Sequence, residues 1–327
     1  MISVAITGST GHLASSVIPL LRERGYHIKV LHYKQAPVIN FTSQETIKGS
    51  LSDPVSLGKL VEGCETVIHC AAMISISSNR DNLVYETNVK GTMNIFNASK
   101  TAGVKRFIQL SSIHAYNQQP SDELLNETSQ YCTNKAPFYD QSKRDAEKFI
   151  LQQSSGPVEV VVLNPTGVVG PFDYKPSLMG RAIMSLYNGK IPSLIRGGFD
   201  FCDVRDVAQG VVEAINKGRN GQSYFLSGKW HSLIELHQII MDIKGEKKKV
   251  PVLPSWTSWA GLPFIRLIAA INNQEPLYTK ESLSTLIHGN RNISSGKAAS
   301  EIGYTCRPLR ETIADSINWF KQTGSLV

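Results

Sequence analysis

The run from Ser3 to Ile6 leads into Thr7-Gly8-Ser9-Thr10-Gly11-His12-Leu13-Ala14, and a helical pattern then extends from about Leu13 to Arg24. Few features constrain a fold as tightly. Small residues at 8, 11 and 14 let the chain turn sharply out of a strand and approach a ligand with its backbone. The helix that opens there turns free N–H groups and a positive dipole end toward the same point. Glycines alone would be weak evidence, but a strand before them and a helix after make the turn a cradle for the pyrophosphate of a dinucleotide. Gly8, Ser9, Thr10, Gly11, His12 and Leu13 form that cradle. Ala14 stands where a third glycine is usual and tolerates slightly wider helix–strand packing.

Downstream, short apolar runs alternate with helical patterns. His27 to Leu31, Thr66 to Cys70, Arg106 to Leu110 and Val158 to Leu163 read as buried strands. Helices fit around Asp53 to Glu62, Leu83 to Thr101 and Tyr139 to Gln153. Continuous apolar strands require a parallel sheet covered on both faces, and right-handed crossovers make it a doubly wound α/β Rossmann fold. After about Pro171 the alternation lapses and turns, prolines and aromatics become denser. The expected organisation is therefore a nucleotide-binding domain over 1–170 and a smaller, mostly helical, discontinuous substrate domain over 171–327. The segment from about 200 to 227, including Cys202 to Ala208 and a strand Ser223 to Leu226, returns to the main sheet. Glu301 to Lys321 is a capping helix with its lead-in.

Composition narrows the function. The chain has 327 residues, 41% hydrophobic and 19% charged, with a formal charge of +7. Its basic residues are scattered apart from Lys247 to Lys249, so no nucleic-acid-reading surface is expected; the surplus suits anionic small molecules. Five widely spaced cysteines, Cys64, Cys70, Cys132, Cys202 and Cys306, show neither a disulfide framework nor a metal pair, which points to a reducing cytoplasm and no metal. The opening MISVAIT reads as a strand rather than a signal peptide. The most apolar stretch, Trp256 to Ile271, contains Pro263 and Arg266 and falls short of a membrane span; it is a candidate lid or core helix.

The end of the second strand decides which dinucleotide is held. An acid there would bond the adenosine ribose and select NAD. This chain has His32, Tyr33 and Lys34 instead, with no acid until Glu45. Lys34 can meet a 2′-phosphate, so NADP is favoured over NAD.

The chemistry concentrates in Tyr139-Asp140-Gln141-Ser142-Lys143. Residues four apart share a helix face, so phenol and ammonium can address one ligand. A free tyrosine titrates near 10, and a close ammonium, together with the cationic nicotinamide of an oxidised cofactor, would lower that value by favouring the phenolate. Lys143 can also hold the nicotinamide ribose. A hydroxyl to orient a substrate oxygen should come from the preceding strand end, Ser111 or Ser112. Ser112 is favoured, with Ser111 as a backbone-capping hydroxyl. His114 reads as a possible substrate contact.

With these residues in place the chain resembles the extended short-chain dehydrogenase/reductase superfamily, the NAD-dependent epimerase/dehydratase family, almost end to end. The resemblance rests on TGSTGHLA, Gly49-Ser50-Leu51-Ser52-Asp53, Val67-Ile68-His69-Cys70-Ala71-Ala72, Asn88-Val89-Lys90-Gly91-Thr92, Tyr139/Lys143 and Asn164-Pro165-Thr166-Gly167-Val168-Val169-Gly170-Pro171. It implies that Ser50 and Leu51 lie by the adenine, Ala71 and Ala72 by the pyrophosphate and ribose, and Pro165 and Val168 by the carboxamide. Asn88 looks like the family's positioning asparagine. Val169 to Phe172 followed by Lys175-Pro176-Ser177 is most similar to the dihydroflavonol-4-reductase and cinnamoyl-CoA-reductase branch, with 3β-hydroxysteroid dehydrogenases close by, and implies that Ser177 meets the cofactor phosphates. A homodimer through the two long helices is also implied. Ser50 departs from the family's adenine aspartate.

A reductase of apolar aldehydes or ketones is the leading reading. A nucleotide-sugar epimerase is the rival: it would place an arginine at Phe199 to clamp a diphosphate. Arg196 and Arg205 lie near enough to substitute, and Asn164 matches an epimerase-type residue. A dehydratase would want acids where Ile113-His114 stand. A non-catalytic sensor would have lost Tyr139 or Lys143. Met73, Ile74, His114, Tyr116, Phe172, Tyr174, Met179, Met184, Tyr187 and Phe199 are candidate substrate-pocket residues, in a cleft at the sheet's C-terminal edge.

Overall fold

The computed structural model describes residues 2–35, 44–74, 81–254 and 280–326. The chain runs β1 (Ser3–Thr7), α1 (His12–Glu23), β2 (His27–His32), β3 (Gln44–Lys48), α2 (Pro54–Val61), β4 (Thr66–His69) and α3 (Asp81–Tyr85). A π-helical turn (Glu86–Lys90) joins α3 to α4 (Gly91–Thr101). There follow β5 (Arg106–Leu110), a 3-10 turn (Ile113–Ala115), α5 (Phe138–Leu151) and β6 (Glu159–Pro165). With β10 (Gln222–Leu226) these strands form one seven-stranded parallel sheet in the order β10-β6-β5-β4-β1-β2-β3. The order reverses at β1, so β1 and β4 bound a crevice at their C-terminal ends, where doubly wound sheets hold ligands.

Side-chain alternation builds a core on each face of that sheet. Val4 and Ile6 of β1, Ile108 and Leu110 of β5, and Val161 and Leu163 of β6 pack with α1 and with α7 (Val204–Lys217). Ala5, Phe107, Val160 and Val162 turn the other way, onto α2, α4 and α5. Each fully buried Val, Leu or Ile in these layers contributes about 1.5–3 kcal/mol of transfer free energy. Double burial explains why β6 reads as an unbroken apolar run.

A second core gathers α6 (Leu178–Tyr187), α8 (Leu233–Lys244), α9 (Lys280–His288) and α11 (Leu309–Gln322). It includes two small sheets: β11-β9-β7, formed by β7 (Gly167–Val169), β9 (Gly198–Asp203) and β11 (Lys229–Ser232), and a β8 (Leu194–Ile195) and β12 (Val252–Leu253) pair. The expected return of the chain to the main layer occurs through β10 as a strand, but Cys202 to Ala208 returns differently. Cys202 lies in β9 of the small sheet, and α7 then packs beside α1. The cap is α11, preceded by the short α10 (Gly296–Ile302). The Trp256 to Ile271 stretch lies outside the described residues. Among the described residues no helix is long and apolar enough to cross a membrane.

Candidate active site

Gly8 takes φ +72°, and a Cβ there would sit 2.6 Å from the Ala71 nitrogen. The turn therefore presses directly on the chain leaving β4, and a side chain at 8 has no room. The Gly11 N–H donates to the Gly8 carbonyl at 2.9 Å. Helix α1 begins with no side-chain cap and no acid in its first turn, which leaves its N–H groups for an anion. Ser9 is committed elsewhere: its hydroxyl, buried, donates to the Leu31 carbonyl at 2.7 Å and fixes the turn to β2. The His12 ring is also engaged, with Nε2 2.8 Å from the Pro171 carbonyl. Leu13 packs against the core.

His32 ends β2 with its Nδ1 buried and without a hydrogen-bond partner, and the Lys34 ammonium is exposed, 5.5 Å above the Tyr33 ring. A tight glycine cradle, an uncapped helix and an unpartnered imidazole nitrogen at the second strand's end fit an adenine dinucleotide. Ser50 and Leu51 lie in the β3–α2 turn: Ser50 bonds the Ser52 hydroxyl, and the Leu51 carbonyl accepts from Asn94 at 2.8 Å. Asp53 of the same motif caps α2 by accepting from the Val55 N–H.

On the other side of the crevice, Ala71 donates to the Thr7 hydroxyl at 3.3 Å, and Met73 is clamped at both backbone groups by the Asn88 amide. Asn88 sits in the π turn, which aims it inward, and it also donates to the Ser142 hydroxyl at 3.0 Å. Asn88 thus ties the chain beyond β4 to α5. Behind it lies a chain that sequence reasoning did not single out. Fully buried His69 joins Thr7 (2.5 Å) to Thr92 (3.1 Å), and burial, with Lys143 nearby, lowers its pKa to about 3, so it stays neutral.

Ser112, Tyr139 and Lys143 converge at the C-terminal end of β5. Lys143 is buried and donates to the Leu110 carbonyl at 2.9 Å. Burial lowers its pKa to about 8, with Glu147 opposing that shift. The Ser112 hydroxyl lies near the Tyr139 phenol. Its oxygen accepts from the His114 N–H and caps the 3-10 turn, so the capping expected of Ser111 belongs to Ser112. The Ser111 hydroxyl faces Glu147. A lowered Tyr139 was expected from its ammonium neighbour, and the structure gives the reverse. Burial raises the phenol, the Asp140 charge adds to this, and the Ser112 hydroxyl only partly offsets both. Tyr139 is thus a protonated phenol at neutral pH.

His114 stands edge-on to Tyr139, ring centroids 5.9 Å apart, with Nδ1 3.3 Å from the Asp140 carboxylate. Burial pulls the imidazole down, but Asp140 outweighs it and the net shift is upward. His114 opens into a cavity of about 60 Å³ whose lining includes Ile113, Gln118, Thr166, Phe199 and Asp200. Of the other pocket candidates, Tyr116 turns away, buried, with its hydroxyl on Glu147. Tyr187, Met179 and Met184 belong to the second core. Phe172, at φ +67°, and Tyr174 both pack on Trp319, and Ile74 is exposed. Pro165 is buried in β6, and Val168 lies in β7 against the first core. Ser177 caps α6, accepting from the Gly180 N–H at 3.0 Å, which leaves its own O–H to donate.

Arg205 cannot stand in for the missing arginine at 199. Its guanidinium is spent on Asp203 (2.7 Å) and Asp315 (2.6 Å). Arg196 is exposed on the surface. Asn164 is likewise occupied, its amide donating to Glu147 at 2.6 Å and to the Ser112 carbonyl at 3.2 Å.

Comparison with known proteins agrees with this architecture. The model of the NAD dependent epimerase/dehydratase family matches residues 4–226, and the chain belongs to that family. Among curated relatives, sterol demethylase protein B of Methylococcus capsulatus is 27% identical, over 98% of this chain and 99% of its own. A putative dihydroflavonol 4-reductase of Synechocystis is also 27% identical, over 98% and 94% respectively. Among solved structures, gox2253 has a TM-score of 0.84 at 29% identity, covering 100% of this chain and 99% of its own. A UDP-glucose 4-epimerase of Thermotoga maritima has 0.80 at 19%, covering 98% and 99%, a likeness of fold alone. The protein is an enzyme of an NAD(P)-binding family that includes oxidoreductases and epimerases.

Proposed function

We propose that the protein is a carbonyl reductase that prefers NADPH and acts on an apolar aldehyde or ketone, or on the corresponding alcohol in reverse. The observation that carries this reading is the Tyr139 phenol, set near the Ser112 hydroxyl and one helical turn from the buried Lys143 ammonium on the Leu110 carbonyl. A pyridine nucleotide, held by the glycine turn, supplies a hydride when bound. Ser112 hydrogen-bonds the substrate oxygen and orients it. Tyr139 gives that oxygen its proton. Lys143, anchored on Leu110, holds the ribose and stabilises the phenolate that Tyr139 leaves behind.

Relatives named as reductases and steroid dehydrogenases support this reading, and the site disfavours a nucleotide-sugar epimerase. A substrate diphosphate needs a guanidinium fork or equivalent cations, whereas Phe199 packs edge-on to Phe201 and Arg205 is engaged by two carboxylates. The test is NADPH oxidation, followed by the loss of its absorbance, with a panel of aldehydes and cyclic ketones. Turnover of at least one is expected. Tightly retained NAD together with UDP-sugar interconversion, and no reduction of the panel, would replace this reading with the epimerase.

The NADPH preference rests on exposed Lys34 beside His32, with no carboxylate at the end of β2. Lys34→Glu should move the ratio of kcat/KM for NADPH over NADH toward NADH by about tenfold or more, the worth of one charge-assisted contact. An unchanged ratio removes Lys34 from cofactor selection.

A further inference from the structure

One turn beyond Lys143, on the face of α5 that carries Tyr139, the structure buries a whole carboxylate. Glu147 has no exposed surface, and an ion in that position is costly unless it does something in return. Its oxygens collect donors from four separate segments. Tyr116 (2.6 Å), Ser223 of β10 (3.1 Å) and Tyr131 (3.3 Å) converge on Oε1, and the Asn164 amide of β6 donates to Oε2 at 2.6 Å. An amide N–H can only donate, and burial with the nearby carboxylate holds both phenols protonated. Burial pushes the Glu147 carboxyl upward, and this shell of donors opposes that shift and suits an acceptor-only, ionised group. Among the described residues no Lys or Arg makes an ion pair with it, yet its neighbour along the helix is a buried ammonium.

We propose that Glu147 is a positioning residue for Lys143, a fixed buried counter-charge that keeps the ammonium protonated on the Leu110 carbonyl while Tyr139 works above it. This rests on the oxidoreductase reading of Tyr139 and Lys143. The groups facing Lys143 leave Glu147 as its only buried anion among the described residues. From the end of β4, His69 is neutral, and burial pushes the Cys70 thiol up to about 12. From the 3-10 turn, His114 is paired with Asp140. On its own helix, Tyr139 is a protonated phenol. In α3 and the π turn, Tyr85 is exposed, and Glu86 and Lys90 are exposed and paired with each other. Of the interactions that favour the Lys143 charge, that with Glu147 is the largest. Spaced at 139, 143 and 147, the phenol, ammonium and carboxylate form a stack in which charge alternates toward the interior.

The sign follows directly. Removing an opposite charge disfavours the charged form, so the pKa of Lys143 falls. Glu147→Gln keeps the size of the side chain and most of its bonds while deleting the charge. In that variant the alkaline limb of the kcat/KM profile should move to lower pH by about one unit, and the pH at which NADPH affinity weakens, read by fluorescence titration, should move with it. Glu147→Asp, which retains the charge, should keep the limb in place even if its melting temperature drops. A folded Glu147→Gln whose alkaline limb and NADPH titration match the parent would overturn the proposal and leave Glu147 a structural group. Should Glu147→Gln not fold, carbon-13 NMR of labelled glutamate carboxyls in the unsubstituted protein decides: a buried ionised carboxylate at neutral pH supports the pairing, and a neutral acid overturns it. Full activity in Tyr139→Phe would instead defeat the underlying oxidoreductase reading, whichever way Glu147 behaves.

Discussion

Tyr139→Phe is expected to lower kcat by about 10²–10⁴-fold, the usual worth of a positioned general acid, with NADPH affinity left essentially intact. The substitution removes one oxygen. The ring remains edge-on to His114, Lys143 keeps its bond to Leu110, and the glycine turn is far along the chain. What disappears is the proton that the developing alkoxide needs. Because burial holds the phenol protonated, the parent should carry its acid across neutral pH, and its reductive activity should not rise with pH there. Steady-state rates with fluorescence-measured NADPH binding check both halves. A variant retaining its rate would strip Tyr139 of its assignment, and one that lost cofactor affinity instead would make the residue a binding group.

Much of this arrangement is legible in the sequence because strong local signals sit on top of one another. The doubly buried strands, such as β5 and β6, could hardly be anything else, and TGSTG between a strand and a helix fixes the crevice. What escaped has physical reasons. Strand β3, Gln-Glu-Thr-Ile-Lys, lies at the sheet's edge with only Ile47 buried, so its run carries no continuous apolar signature. The π turn interrupts a helix that reads as unbroken over 83–101; its cause is tertiary, the clamp of Asn88 on Met73 and Ser142. The small sheet around β9 pairs residues 28 to 34 positions apart by register, as between Lys229 and Phe201 or Gly167 and Phe201, and short strands of this kind have no local period.

The site shows the same division. Spacing alone puts Tyr139 and Lys143 on one helix face, and the same rule extended by one turn reaches Glu147, so that carboxylate had a signal. What spacing could not supply was its burial, which depends on Tyr116, Tyr131, Asn164 and Ser223 arriving from elsewhere. The direction of the Tyr139 shift in the protein without cofactor lies beyond spacing for a related reason. A neighbouring charge is visible in sequence, whereas desolvation is a property of the packed molecule, and here it dominates. Arg205 illustrates the converse: near the pocket in sequence, it is taken up by Asp203 and Asp315, the latter 110 positions away.

Gly8→Ala is expected both to destabilise the protein and to weaken its hold on the cofactor. Two costs coincide. At φ +72° an L-residue pays about 1–2 kcal/mol for the left-handed conformation. The new Cβ would also stand 2.6 Å from the Ala71 nitrogen and 2.7 Å from the Cys70 carbonyl carbon, and both are backbone atoms of a chain tied to β1 by the Cys70 N–H on the Thr7 carbonyl at 3.2 Å. A side chain could rotate aside; a strand end cannot. Relief requires either parting β1 from β4 or flipping the turn, and each displaces the N–H groups at the start of α1 that would hold a pyrophosphate under the proposed function. Gly25→Ala is the matched control, since Gly25 has φ +77° but open space around its Cβ position. It should cost only the conformational part, about 1 kcal/mol. We expect Gly8→Ala to melt several degrees below Gly25→Ala, at about 2–4 °C per kcal/mol for a chain of this size class, and to lose NADPH binding by at least about tenfold, or 1.4 kcal/mol. Equal melting temperatures with unaltered cofactor affinity would mean that the turn can yield, and the close approach of β1 to the chain beyond β4 would no longer account for the glycine.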